Sequence, residues 1–386
     1  MSMKYKDKSF IVRIDINSPL ENNKPLMNER IEAHAETIKY LSKNGAKVVL
    51  LSHQGRPGEK DFLEDMDKHA ELLTKVVKRK IEYVPDVYSD LAIQKIKSMK
   101  NGDILLLKNV RTIKEETLEL KPKEHANSEF IKNLSPLFDY FVQDAFSICH
   151  RSHASVVGFP YVLPSLKGKN LQKELKALKK LKNLKNLICV LGGAKMEEII
   201  SFLEFLSKKG RNSIVLSGGL FSIYCLKAFG YELGAEYNLK EDLVEKIKKY
   251  IKKIKIYIPQ DFVFEDGSTG KIKDLPINKK ICDIGKETIN IYKEILRKSK
   301  NILVKGPLGI YEDERFSNGT KEIFRFISNL NAFSIICGGN TLDAIRRFKI
   351  PKNKFSHLSL GGGATIEYIS GKRLPGLEVL KKARDL

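Results

Sequence analysis

The chain of 386 residues contains no tryptophan, and its cysteines, Cys149, Cys189, Cys225, Cys282 and Cys337, include no CxxC pair. An odd number of scattered thiols supports neither a disulfide framework nor a structural zinc site, and reads as buried, reduced cysteine. No HExxH and no spaced His/Cys set is present, which excludes the common metalloenzymes. GxxxxGK[ST] and GxGxxG are missing too, which sets aside the P-loop and dinucleotide-binding families. Long apolar runs are absent: Val48 to Leu51 and Ile104 to Leu107 fall far short of the ~20 residues of a membrane span, so no membrane association is expected. No apolar stretch of signal-peptide length follows Met1 to Phe10 and no lipidation pattern occurs, so a cytoplasmic location is expected.

Acidic residues are in deficit, with 69 Lys+Arg against 47 Asp+Glu and a formal charge of +22. Nucleic acid is the obvious polyanion for such a surface. The excess lies in stretches such as Lys167 to Lys185 and Lys246 to Lys255, where lysine alternates with Leu, Ile and Tyr as on a solvated helix face. Without tryptophan or an RNP-like aromatic pattern, no specific nucleic-acid partner is expected. What remains is an ordinary globular composition, 42% hydrophobic and 30% charged, long enough for two domains.

Short runs rich in Val, Ile and Leu alternate with helical periodicity along the whole chain. Strands are expected at Ser9 to Ile14, Lys47 to Leu51, Ile81 to Val84, Asp103 to Leu107 and Tyr140 to Gln143. Helices are expected at Glu29 to Ser42, stopped by Gly45, and near Lys68 to Lys78 and Leu91 to Met99. After Pro164 a Lys/Leu-periodic segment, Leu171 to Leu184, precedes a second series. Its strands are Leu187 to Leu191, Ser213 to Leu216, Lys255 to Ile258, Ile302 to Val304 and Ser334 to Ile336, with helices Leu239 to Lys252 and Lys286 to Lys298. This alternation predicts an α/β protein of two doubly wound, parallel-sheet, Rossmann-like domains joined by a helical hinge. The expected boundaries are 1–164, a hinge at 165–185, and 186–373.

In open parallel sheets, ligands bind beyond the carboxyl ends of the strands. In the first half those turns carry Asp15 and Asn17, then His53 and Arg56, then Arg111, then His150, Arg151 and His153, with Arg30 at a helix start. Arginine recognises phosphate and carboxylate through paired hydrogen bonds, so this rim suits a small, multiply anionic ligand. The second half is glycine-rich at the same places: Gly192-Gly193-Ala194-Lys195, Gly218-Gly219, Gly306-Pro307-Leu308-Gly309, Gly338-Gly339-Asn340 and Gly361-Gly362-Gly363. Glycine admits close backbone approach, and the amides of a following helix N-terminus hold phosphates. Lys195 stands where a transferring phosphoryl group needs positive charge. Any one glycine pair is a tight turn as readily as a cradle, and the reading rests on their joint occurrence. His34 reads as a core histidine, and His69, His125 and His357 show no clear partners.

The ordered segments VRIDIN (Val12 to Asn17), SHQGRP (Ser52 to Pro57), LLKNVR (Leu106 to Arg111), DAFSICHRSHAS (Asp144 to Ser155), LGGAK (Leu191 to Lys195), GPLGIYE (Gly306 to Glu312) and LGGGATIEYISGKRLPG (Leu360 to Gly376) resemble the signatures of the phosphoglycerate kinase family. LSPLFDYFV (Leu134 to Val142) looks like its archaeal-type branch. The resemblance implies an enzyme of glycolysis and gluconeogenesis. It would move a phosphoryl group reversibly between 1,3-bisphosphoglycerate with ADP and 3-phosphoglycerate with ATP, using Mg2+, as a monomer or homodimer. On matching positions, Asp15, Asn17, Arg30, His53, Arg56, Arg111 and Arg151 would hold 3-phosphoglycerate, with His150 and His153 nearby. Gly193, Ala194, Gly218, Gly219, Leu308 and Gly309 would line the nucleotide, with Lys305, Gly338, Gly339 and Thr341 beside it, and Glu312 would meet the ribose. Arg30, Lys195, Gly361 and Gly362 would act on the phosphoryl in flight. The halves would close on the two ligands, and the tail at 374–386 would return to the first domain.

Several positions depart from the family pattern. Asn340 stands where many relatives carry an aspartate that helps hold the magnesium nucleotide, so any metal contact there is weak and made mainly through the nucleotide phosphates. Lys305 replaces an asparagine, Cys337 a glycine, and Ile199 a second lysine of bacterial and eukaryotic relatives. Lys305 is expected to restore that missing positive charge. These changes also leave room for an alternative, a catalytically weak paralogue that binds nucleotide or phosphoglycerate.

Overall fold

The computed structural model describes residues 4–182, 186–209, 212–381 and 384–385. The chain divides into two compact units, Met1–Lys176 with Arg373–Leu386, and Ala177–Lys372. The first is built on a seven-stranded sheet in the order Arg384–Asp385, Ser165–Lys167, Tyr140–Gln143, Ser9–Arg13, Lys47–Leu51, Ile104–Leu107, Glu82–Val84. All its pairings are parallel. The strand Lys47–Leu51 is almost continuously buried because helices cover both faces, which is why it reads as an unbroken apolar run. Helix Glu29–Lys43 starts at Asn28, whose side chain accepts the amides of Arg30 and Ile31, and buries Ile31, His34, Ala35, Ile38 and Leu41 at helical spacing. Beyond it Gly45, at φ 86°, takes the left-handed turn that glycine adopts without strain.

The second unit carries a six-stranded parallel sheet in the order Lys255–Tyr257, Ile214–Ser217, Leu187–Leu191, Asn301–Lys305, Phe333–Cys337, His357–Ser359. Its core includes Val190, Leu216, Tyr292, Val304, Phe324 and Ile336. In both sheets the strand order reverses near the middle. The reversals lie between Ser9–Arg13 and Tyr140–Gln143 in the first unit, and between Leu187–Leu191 and Asn301–Lys305 in the second. Those reversals open a crevice at the carboxyl ends of the strands, where ligands of such folds bind.

The parallel alternation accounts for most of the second unit, but a three-stranded antiparallel sheet, Thr269–Lys271, Asp261–Phe264 and Ile281–Ile284, is an addition to it. Phe262 and Phe264 point from it into a small core of their own with Ile223, Leu226 and Leu233. The Lys/Leu-periodic segment is a helix, Lys169–Lys182, and the division between units falls within it. Residues 183–185 of the expected hinge and 382, 383 and 386 of the tail lie outside the described residues. Within the first unit, the Gly376 amide donates to the Cys149 carbonyl at 2.8 Å. All five cysteines are buried as thiols. No described helix is long and apolar enough to cross a membrane.

Candidate active site

In the first unit the turns after Ser9–Arg13 and Lys47–Leu51 are stitched together. The Ile16 amide donates to Ser52 Oγ (3.1 Å), the Ser18 amide to Gln54 Oε1 (2.8 Å), and the Gly55 amide to Asn17 Oδ1 (2.7 Å). Asp15, almost fully buried, pairs with Arg30 and accepts the Ser147 hydroxyl. Arg111 donates to the Gly55 carbonyl. Arg56 is exposed and lies 3.6 Å from Glu59. Asp15, Asn17, Arg30 and Arg111 are joined through these bonds, His53 Nε2 lies 4.0 Å from Asp15 Oδ1, and His153 Nδ1 lies 3.6 Å from Glu116 Oε1, so these side chains form one cationic rim. Burial draws both Arg30 and Arg111 down to about 10, so both stay charged at neutral pH.

Beneath the rim lies a buried ion pair that sequence reading did not single out. Arg13 and Glu116 are both wholly buried and approach to 3.7 Å. Arg13 Nε donates to Ser155 Oγ (2.7 Å), and Glu116 accepts the Ser155 amide (2.8 Å) and hydroxyl (2.7 Å). Burial raises the Glu116 carboxyl, but His153 and Arg13 outweigh that and hold it below the usual carboxylate range. Arg13 Nη2 also faces His53 Nδ1 at 3.3 Å. Burial, then the charges of Arg13, Arg111 and Arg30, push His53 well below its ordinary value, so it enters the site as a neutral ring. The signal for this pair was present in VRIDIN, where an arginine interrupts an otherwise apolar strand. His69 and His125 also differ from expectation, for His69 Nε2 meets Gln54 Oε1 at 3.0 Å and His125 Nε2 meets the Ser152 carbonyl at 2.7 Å.

In the second unit three glycine turns interlock at the strand reversal. The Gly192 amide donates to the Lys305 carbonyl (2.8 Å), that of Gly193 to Pro307 (3.0 Å) and that of Gly219 to Leu308 (2.7 Å). A Cβ at Gly192 would strike the Pro307 carbonyl oxygen, so only glycine lets these turns meet. Three helix N-termini follow: Gly219–Ala228, Gly339–Arg347 and, after Gly362 at φ 51°, Gly363–Ile369. A Cβ at Gly339 or Gly362 would meet nothing within 4 Å, so the backbone there faces open space. The Gly361 amide instead donates to Ser359 Oγ (3.2 Å). Thr341, expected beside the nucleotide, is fully buried; its hydroxyl accepts the Gly306 amide and donates to the Cys337 carbonyl, both at 2.8 Å. Its role here is to tie two turns together.

Lys195 is exposed at the start of helix Met196–Lys209, with its amine 3.9 Å from Glu198 Oε1. Lys305, nearly buried, bonds Glu198 Oε2 at 2.6 Å. Glu198 thus neutralises the charge that Lys305 was expected to add, leaving two lysines around one carboxylate. Among the described residues no three His, Cys, Asp or Glu side chains gather as a metal cage. Asn340, exposed at a helix N-terminus, offers one neutral oxygen, which suits a magnesium ion carried chiefly by nucleotide phosphates.

These features define a class: a two-unit α/β protein with a rim of arginine and histidine side chains at one sheet reversal and glycine-lined helix N-termini at the other. The phosphoglycerate kinase family model matches residues 1–372. A phosphoglycerate kinase of Archaeoglobus fulgidus is 40% identical, over 98% of this chain and 95% of its own length. One from Methanothermus fervidus is 38% identical, over 98% and 96%. The crystal structure of phosphoglycerate kinase from Pyrococcus horikoshii OT3 superposes with a TM-score of 0.90 at 33% identity, covering 98% of this chain and 96% of that one. The chain belongs to the phosphoglycerate kinase family, whose members are kinases that use ATP and ADP.

Proposed function

We propose that this chain transfers a phosphoryl group reversibly between 1,3-bisphosphoglycerate with ADP and 3-phosphoglycerate with ATP, using Mg2+, in the cytoplasm. The observation that carries the reading is the division of labour between the two sheet reversals, one rimmed by arginine and histidine and the other by glycine turns. Family membership over residues 1–372 supports it. The alternative of a catalytically weak paralogue has no specific observation in its favour.

In this reading Arg30, Arg56, Arg111 and Arg151 hold the anionic groups of 3-phosphoglycerate. Asp15 and Asn17 orient its hydroxyl end, and His53 contributes a neutral hydrogen bond, with His150 and His153 around them. Gly193, Ala194, Gly218, Gly219, Leu308 and Gly309 line the nucleotide, Glu312 meets its ribose, and Gly338, Gly339 and Asn340 face its phosphates. Magnesium, when bound, neutralises charge on those phosphates. Transfer is in line with no covalent enzyme intermediate, so the chain contributes positioning and fixed charge. Arg30 and Lys195 neutralise the phosphoryl oxygens, and the backbone at Gly361 and Gly362, chiefly Gly362, donates to them. Each ligand belongs to a different unit, so transfer requires closure that also excludes water from the acyl phosphate.

Hydrogen exchange with single ligands tests the assignment. 3-Phosphoglycerate alone should protect amides at 15–17, 52–56 and 109–111, and magnesium ADP alone those at 192–195, 306–309 and 338–341. Protection in the reverse units, or none at saturating ligand, would overturn it.

A further inference from the structure

Behind the cationic rim lies a buried chain of hydrogen bonds that runs from the Asp15 backbone through His34 to Asp144. His34, on helix Glu29–Lys43, accepts the backbone N–H of Asp15 at Nε2 (3.0 Å) and meets Asp144 Oδ2 through Nδ1 (2.6 Å). A backbone amide can only donate, so Nε2 is the unprotonated acceptor. The ring proton then sits on Nδ1 and is donated to Asp144. Asp144 is fully buried at the end of strand Tyr140–Gln143. Its other oxygen, Oδ1, accepts the Thr37 hydroxyl (2.8 Å) and the Asn170 amide (2.9 Å). Asn170 Nδ2 returns to the Asp144 carbonyl at 2.9 Å, and Gly168 is packed so closely that a Cβ would strike the carboxylate.

Every polarity in this chain is determined. Both carboxylate oxygens of Asp144 face donors, the imidazole has one orientation, and the Asp15 peptide has one partner for its N–H. The Asp15 side chain in turn holds Arg30, the Ser147 hydroxyl and the Asn17 amide. Turning the Asp15 peptide would displace all three.

We propose that His34 and Asp144 are positioning residues of the phosphoryl-transfer site, which fix the Asp15–Arg30 pair by holding the His34 ring as the Nδ1–H tautomer. The proposal rests on the assignment of Asp15 and Arg30 to 3-phosphoglycerate. Neither His34 nor Asp144 touches the ligand; they act through the Asp15 backbone.

Asp144→Asn sets a donor against a donor whichever way the amide turns. With its NH2 toward His34, the ring proton is driven to Nε2, against the Asp15 N–H. With its NH2 on the other side, it opposes the Asn170 N–H. Loss of a group that orients a ligand-binding residue costs about 10- to 100-fold in affinity or activity. A part-buried hydrogen bond in the second unit, Thr288 Oγ1 to Asp261 Oδ1 at 2.6 Å, supplies a control for simple destabilisation through Thr288→Val.

The first test is the ring 15N–1H correlation spectrum of the unliganded wild-type protein. A proton on Nδ1 of His34 supports the proposal; a proton on Nε2, or on both nitrogens at neutral pH, overturns it. The second is steady-state kinetics. Asp144→Asn should raise the KM for 3-phosphoglycerate by about tenfold or more with the KM for ATP unchanged, whereas Thr288→Val should leave that ratio alone. Equal effects on both substrates, or equal effects in both variants, would overturn the proposal. If Asp144→Asn does not fold, the tautomer of the wild-type ring decides. Failure of the underlying assignment looks different: 3-phosphoglycerate would then leave the wild-type signals of Asp15 and Arg30 unmoved, withdrawing the assignment and the proposal together, whereas a wrong tautomer withdraws the proposal alone.

Discussion

Glu116→Gln isolates the charge of one buried carboxylate at almost constant volume. In the wild-type protein Glu116 and Arg13 are both wholly buried, 3.7 Å apart, beneath His53 and Arg111. Glutamine keeps one acceptor for Ser155 but leaves the Arg13 guanidinium uncompensated in a region already crowded with positive charge. Breaking a buried pair by removing one partner costs about 3–5 kcal/mol. For a unit of this size each kcal/mol lowers the melting temperature by about 2–4 °C, so a fall of ~6–20 °C is expected. Thermal unfolding followed by circular dichroism measures it, and hydrogen exchange should place the loss in the first unit. The dependence on pH has a definite sign. Because the Glu116 carboxyl is held below its ordinary value, its contribution is complete above the unfolded value of about 4.3 and disappears as pH falls through the lower folded value. The gap between wild type and variant should be full at pH 7 and close in acid. A melting shift under about 2 °C at pH 7, or a gap unchanged in acid, would refute the assignment of this pair as the support of the rim.

Asp283 should behave in the opposite sense: burial raises its carboxyl to about 7, so the stability of the second unit falls as pH rises from about 4 toward 7, and a stability-versus-pH series with Asp283→Asn as the flat reference checks this. Arg56→Ala should mainly raise the KM for 3-phosphoglycerate, whereas Lys195→Ala should lower kcat by about 100-fold or more with modest change in either KM. Because both side chains are exposed, neither change should move stability by more than about 0.5 kcal/mol, which denaturant titration reads. Asn340→Asp adds a charged oxygen at an exposed helix N-terminus and should tighten magnesium ADP relative to metal-free ADP, which calorimetric titration with and without the metal would show.

The parallel sheets were legible because their strands are buried on both faces. Lys47–Leu51, Tyr140–Gln143 and Leu187–Leu191 stand where their apolar runs begin and end. The antiparallel sheet was not, because its strands are only three or four residues long, an Asp breaks the apolar run in Ile281–Ile284 and opens Asp261–Phe264, and Thr269–Lys271 has no apolar side chain. Its one local signal is the Asp266-Gly267 turn, where Gly267 takes φ 83°. Most rim residues were legible because they stand in the turns that follow strands, and Arg30 because it opens a helix. Arg13, Glu116, His34 and Asp144 gain their roles from partners more than 100 positions away, as in the 110-residue separation of His34 and Asp144. No periodicity carries such a pairing. Glu198 likewise meets Lys305 across 107 positions, so the neutralisation of that lysine could not be read from GPLGIYE alone.

The central claim is phosphoryl transfer to 3-phosphoglycerate, and a coupled assay of the purified protein with ATP, Mg2+ and 3-phosphoglycerate, following 1,3-bisphosphoglycerate formation, tests it most directly. Turnover of about 1 to 1,000 per second that requires all three components is the expected result. Folded protein that binds both ligands without transfer, or that releases phosphate from ATP equally well when 3-phosphoglycerate is omitted, would contradict it.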